Sequence, residues 1–143
     1  MTARPKSPDP LTGRCLCGAI TLEIRGPVRG VVVCHCRQCI RQHGAPPGFS
    51  QAAWENVRLT GEENLTWYAS SAKARRGFCR VCGSSLFWEP VGTGRVSFTA
   101  GLLDQPTGLE TVRHIFVADK SDYYEIHDDL EKFPGTMQKA PPI

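Results

Sequence analysis

The sequence predicts one mainly β domain with few short helices. Three observations carry that prediction. Apolar residues recur in short runs that alternate with polar ones, the period of a half-buried strand. The runs are broken at close intervals by Gly, Pro, Ser and Asp, the residues of turns. Seven cysteines fall into three tight groups, and staples of that kind suit a sheet assembly that lacks long strands. A chain of 143 residues is long enough for one core and not comfortably for two.

The elements follow in order. Residues 1–11, polar and proline-rich at the start, read as a flexible tail, residues 12–134 as the domain, and residues 135–143 as a second tail. Residues 19–25 alternate as a strand, which Gly26-Pro27 ends. Residues 31–33 read as a buried strand running into Cys34. Residues 37–43 read as a short helix, stopped by Gly44 and Pro46. Residues 57–60 and 65–68 flank Gly61 in the manner of a hairpin. Residues 84–88, 95–100 and 111–117 are three more expected strands, and residues 119–125 a further helical turn or two.

Composition excludes some classes. No apolar run approaches the roughly 18 residues of a membrane-spanning helix, so no membrane partner is expected. The start carries no apolar stretch of the secretory kind, which predicts a reducing, cytoplasmic location. In such a compartment cysteines serve metal binding, catalysis or burial rather than disulfides, and an odd count fits a disulfide framework badly. The formal charge of +3 treats every cysteine as a neutral thiol. Seven thiolates and two Zn²⁺ ions would together bring it to zero, so the basic balance does not point to nucleic acid. Nor are aromatics and arginines interleaved in a strand-binding stretch.

The cysteine groups are Cys15-Leu16-Cys17-Gly18, Cys34-His35-Cys36-Arg37-Gln38-Cys39 and Cys79-Arg80-Val81-Cys82-Gly83. A Cys-x-x-Cys loop lets two sulfurs face one ion, and the following glycine lets backbone N–H groups turn towards them. The first and third groups together make a closed four-cysteine set: Cys15, Cys17, Cys79 and Cys82. Structural zinc takes four protein ligands in this way. A redox pair at Cys79 and Cys82 is the competing reading, but the strand–helix context it needs is missing. Cys34, Cys36 and Cys39 remain, and they supply three sulfurs to one ion. Catalytic zinc commonly keeps three protein ligands and an open fourth position. A histidine could fill that position instead, with His43 best spaced to reach; His35 would tend to point away, and His114 and His127 are further candidates. Spacing alone also leaves other pairings of the groups open.

The chain around these cysteines resembles the glutathione-dependent formaldehyde-activating enzyme family, which includes the conserved domain of centromere protein V. The resemblance rests on residues 13–20, on residues 34–39 and on residues 78–86. Tyr68-Ala69-Ser70-Ser71, Gly101-Leu102-Leu103-Asp104 and His114-Ile115-Phe116-Val117 stand in the family's order, and the likeness covers roughly residues 12–133. Tyr123 stands where many members have tryptophan, and Glu131 where a proline is frequent. The resemblance implies zinc-bridged, coiled antiparallel sheets, a β-tent. It implies two zinc ions per chain, a structural one on Cys15, Cys17, Cys79 and Cys82 and an active-site one on Cys34, Cys36 and Cys39.

It also implies a carbon–sulfur lyase that joins glutathione to formaldehyde, giving S-hydroxymethylglutathione, with a small thiol such as glutathione as partner. A non-catalytic zinc-stapled protein-interaction module is the alternative, and a homo-oligomer is left open. An anionic thiol beside three thiolates needs cations nearby, for which Arg37, Arg41, Arg75 and Arg76 are the candidates. His114 is a candidate proton shuttle, or else a packed strand histidine.

Overall fold

A computed structural model describes residues 7–136. The expected tails fall largely outside them, at residues 1–6 and 137–143. Leu11, placed by the sequence at the end of the first tail, is buried at the head of a strand.

The strands are β1 (Leu11–Arg14), β2 (Thr21–Ile24), β3 (Val31–Cys34), β4 (Gly48–Ala53), β5 (Val57–Thr60), β6 (Leu65–Ala69), β7 (Ala74–Cys79), β8 (Ser85–Pro90), β9 (Arg95–Thr99), β10 (Thr111–Ile115) and β11 (Glu131–Lys132). One α-helix, α1 (Arg37–His43), follows β3. A small sheet has the order β1-β2-β5, and a large one the order β11-β10-β3-β4-β9-β8-β7-β6. The protein is therefore mainly β, as its patterning predicts. The pairings are antiparallel except β3 with β10 and β10 with β11, which are parallel. A parallel return needs a long crossover. Here the crossover is most of the chain, since β4 to β9 are built before β10 comes back to β3.

The main core lies where the two sheets face each other. Leu22 and Ile24 point inward from β2 while Thr21 is exposed, and they meet Ala52, Leu86, Phe87, Val96 and Phe98 of the large sheet. Each of these side chains other than Ala52 contributes about 1.5–3 kcal/mol on burial. A second, smaller cluster joins Phe49 to Cys34 and Cys39.

Two expectations change. Residues 57–60 and 65–68 are strands but not a hairpin: β5 pairs with β2 and β6 with β7. Gly61, at φ 83°, opens a tight turn over Glu62–Asn64 that carries the chain from one sheet to the other. A Cβ there would lie 1.8 Å from the Ala19 carbonyl oxygen, so the crossing is a close backbone contact. Residues 119–125 form no α-helix; there is only a short turn at Val117–Asp119. The N–H groups of Asp119 and Lys120 donate to the carbonyls of Phe116 and Val117, three residues back, which closes that single turn and goes no further.

Candidate metal centres

The structure brings the cysteines into two groups, Cys15, Cys17, Cys79 and Cys82 in one and Cys34, Cys36 and Cys39 in the other. Within each, the sulfurs all lie within 4.8 Å of one another, and each group could hold a metal ion. All seven are free thiols.

The four-cysteine group sits where the β1–β2 loop meets the β7–β8 turn. Cys15 and Cys17 sulfurs are 3.7 Å apart, and Cys17 and Cys79 sulfurs 3.8 Å. A tetrahedron with sulfurs about 2.3 Å from its centre has edges of about 3.8 Å, so the spacing fits a zinc-sized ion and not a disulfide. The N–H groups of Ala19, Ile20 and Val81 point at Cys17, Cys15 and Cys79. That is the surrounding a thiolate needs. Gly18 and Gly83 both take positive φ beside the ligand loops, as expected. Hydrogen bonds from the Ser84 side chain and backbone hold the Cys82 thiol down at about 5. Cys17 accepts the Ala19 N–H, which favours its thiolate, yet desolvation and its three cysteine neighbours push it up to about 11. Four sulfurs so close carry their full negative charge only around a cation.

The three-cysteine group is built by the end of β3 and the start of α1. Cys36 is the helix N-cap, and its sulfur accepts the Cys39 N–H. Hydrogen bonds from Cys34, and then from Cys39, hold the Cys36 thiol down at about 2. The same contacts, with burial, push Cys34 far up. The three sulfurs thus compete for protons, and a dication among them would favour all three thiolates. Arg76, from β7, donates from Nη2 to Cys39 Sγ at 3.4 Å and is fixed by Gln38, whose Oε1 takes both Nε and Nη2.

These three sulfurs line one side of a cavity of about 490 Å³. Phe49, Trp88, Ile115 and Phe116 supply apolar wall; Arg29 and Arg76 are the cations in it. Of the arginines named from sequence, Arg76 alone reaches the cavity. Arg75 pairs with Glu89 at 2.7 Å and lies over Trp67, Arg37 bonds Ser121 on the surface, and Arg41 is exposed. Arg29 was not foreseen, because it lies outside every cysteine motif.

No histidine joins either sulfur group among the described residues. His35 points away from the cysteines on either side of it. Its Nδ1 meets the Tyr124 hydroxyl at 2.7 Å and its Nε2 meets His114 Nδ1 at 2.8 Å. His114 Nε2 in turn meets Asp128 at 2.8 Å. Both His114 ring nitrogens are thereby taken, and His114 is a packed strand histidine bracing the loop after β10. His43 stacks edge-on to Phe49, and His127 is exposed.

Fold and site together define the class: a mainly β protein with two cysteine groups that could each hold a metal ion, one of them lining a cavity. The sequence pattern of the family described as glutathione-dependent formaldehyde-activating enzyme matches residues 10–119, and the chain belongs to that family. It is 28% identical over 124 residues to a Schizosaccharomyces pombe protein described as an uncharacterized lyase, across 85% of this chain and 88% of that one. A crystal structure of a Rhodobacter sphaeroides protein superimposes with a TM-score of 0.56 at 26% identity, over 66% of this chain and 88% of its own. No helix among the described residues is long and apolar enough to cross a membrane.

Proposed function

We propose that the chain is a zinc-dependent carbon–sulfur lyase acting on thiol adducts of small aldehydes, with glutathione and formaldehyde as the pair that family membership suggests. One observation carries this reading: the three sulfurs of Cys34, Cys36 and Cys39 lie close enough to share an ion and line a cavity that a ligand can enter. Cys15, Cys17, Cys79 and Cys82 are the proposed ligands of a structural zinc, and Cys34, Cys36 and Cys39 of a second one. Zinc on the second group would supply the acidity that makes an incoming thiol a thiolate at neutral pH.

The chain's own residues do the rest. The three sulfurs fix where the ligand sulfur sits. Phe49, Trp88, Ile115 and Phe116 give the aldehyde an apolar wall beside the sulfurs. Sulfur adds to the aldehyde carbon, the carbonyl electron pair moves to oxygen, and that oxygen takes a proton. The reverse breaks the same carbon–sulfur bond. Three thiolates and a dication carry one net negative charge, and a fourth thiolate makes two. Arg76, on Cys39, offsets one of them. A cytoplasmic location agrees with seven unpaired thiols.

The test is zinc per chain by elemental analysis, after zinc loading and desalting, with and without glutathione. About two are expected, with the second retained better in glutathione. Cys36→Ser is expected to fold, to keep the first zinc and to lose the second together with lyase activity. A single zinc under both conditions in the parent protein would sink this reading and leave a zinc-stapled interaction module.

A further inference from the structure

We infer that Arg29 is a specificity-determining residue that pairs with a carboxylate on the thiol ligand, so that the cavity takes thiols bearing a carboxylate at some distance from the sulfur. This rests on the reading of the three-cysteine group as a thiol site.

Arg29 is 6% exposed, and it lines the same cavity as Cys34, Cys36 and Cys39. Its partners are neutral: Nε donates to the Gly30 carbonyl at 3.3 Å, and Nη2 to the Phe49 carbonyl at 3.1 Å. Nη1 has no hydrogen-bond partner among the described residues. No residue lining the cavity is acidic. Burial is the one cause acting on the guanidinium, and it pushes its pKa down to about 10. A buried cation without a counter-charge is costly, and chains avoid it unless something completes the pair. Arg76, the other cation here, already has a sulfur and an amide oxygen to serve. Among the described residues Arg29 has no anionic partner.

Its position is built rather than incidental. Its own N–H donates to the Gln51 carbonyl at 2.9 Å, and its carbonyl accepts the Ser50 hydroxyl. Phe49 links the two ends of the cavity: it packs on Cys34 and Cys39, while its carbonyl holds the guanidinium. Phe49 lies opposite Val32, two residues along β3 from Cys34, a step of about 7 Å. Arg29 and the three sulfurs line one cavity of about 490 Å³, room for one small ligand between them. A guanidinium presents a fork of N–H donors that matches a carboxylate, and its single charge matches a monoanion.

The experiment is calorimetric binding to the zinc-loaded protein. Mercaptoacetic, 3-mercaptopropionic and 6-mercaptohexanoic acids are each compared with the mercaptoalcohol of the same length. At one length or more the acid is expected to bind about tenfold tighter. In Arg29→Gln that preference should vanish while the alcohol's affinity holds. Equal binding of acid and alcohol at every length would overturn the inference and leave the thiol site standing, as would a preference that survives Arg29→Gln. Failure of every thiol to bind would overturn the thiol reading and this inference with it. Should Arg29→Gln not fold, Arg29→Lys keeps charge and stem but loses the fork; the preference should fall to about a third, and an undiminished preference overturns the assignment.

Discussion

His43 shows how a single side chain can look like a ligand in sequence and prove something else in space. Its spacing from Cys39 made it the best-placed fourth ligand, but it stands outside the sulfur group and packs edge-on against Phe49, ring centres 5.5 Å apart. Its Nε2 is buried without a hydrogen-bond partner. Burial, and then the charge of Arg76, push the imidazole down to about 4. An unfolded chain's imidazole titrates near 6.5. Between those values the unfolded state binds the extra proton and the folded state does not, so stability falls as pH drops through that window. His43→Leu removes the unpaired nitrogen and the titration together. We expect it to be more stable by about 1 kcal/mol at neutral pH, with a shallower loss on acidification and unchanged zinc content. Urea unfolding of both proteins at pH 7 and pH 5 checks this. Parallel pH slopes would show that His43 is not the group responsible, and loss of a zinc would make it a ligand after all.

At the scale of elements, what the sequence disclosed depended on whether an element carries its own pattern. α1 spans the expected residues because its stop signal is local, and β3 ends at Cys34 as its apolar run suggested. β4 was missed because both its faces are buried, so Gly48–Ala53 shows no alternation. β7 was hidden by Arg75 and Arg76, which look like surface charge until Glu89, Gln38 and Cys39 are brought beside them. Arg29 and the Tyr124–His35–His114–Asp128 chain were illegible for the same reason: their partners are remote in sequence. The cysteine groups were legible because each ligand pair is local, and only the meeting of Cys15 and Cys17 with Cys79 and Cys82 needed the fold. That meeting ties the β1–β2 loop to the β7–β8 turn, and so one sheet to the other. Cys82→Ser should therefore lose one zinc and loosen the small sheet first. Hydrogen exchange should rise in β1, β2 and β5 before the large sheet, or the chain should fail to fold. Parent-like protection with both zincs retained would remove Cys82 from the ligand set.

For the whole molecule, charge gives a test of both proposed metal sites at once. With every cysteine a neutral thiol the chain carries +3 and a sequence isoelectric point near 8.5. If seven thiolates hold two dications, the loaded protein is formally neutral at pH 7. Its isoelectric point should then lie near 7, well below that of metal-stripped protein unfolded in urea, whose thiols keep their ordinary values and are protonated at pH 7. The shift arises because each site has more sulfurs than its ion has charges. The four-cysteine site would contribute a net charge of about −2, and the three-cysteine site about −1. Isoelectric focusing of loaded and stripped protein reads the sum, and focusing of Cys36→Ser separates the terms: loss of the second site should recover about one charge of the three. A loaded protein that focuses together with the unfolded, stripped chain would mean that its sulfurs stay protonated, and neither cluster could then be a thiolate metal centre. A shift of only two charges in the parent protein would place metal at the four-cysteine site alone, which is the charge signature of a stapled module without an open site.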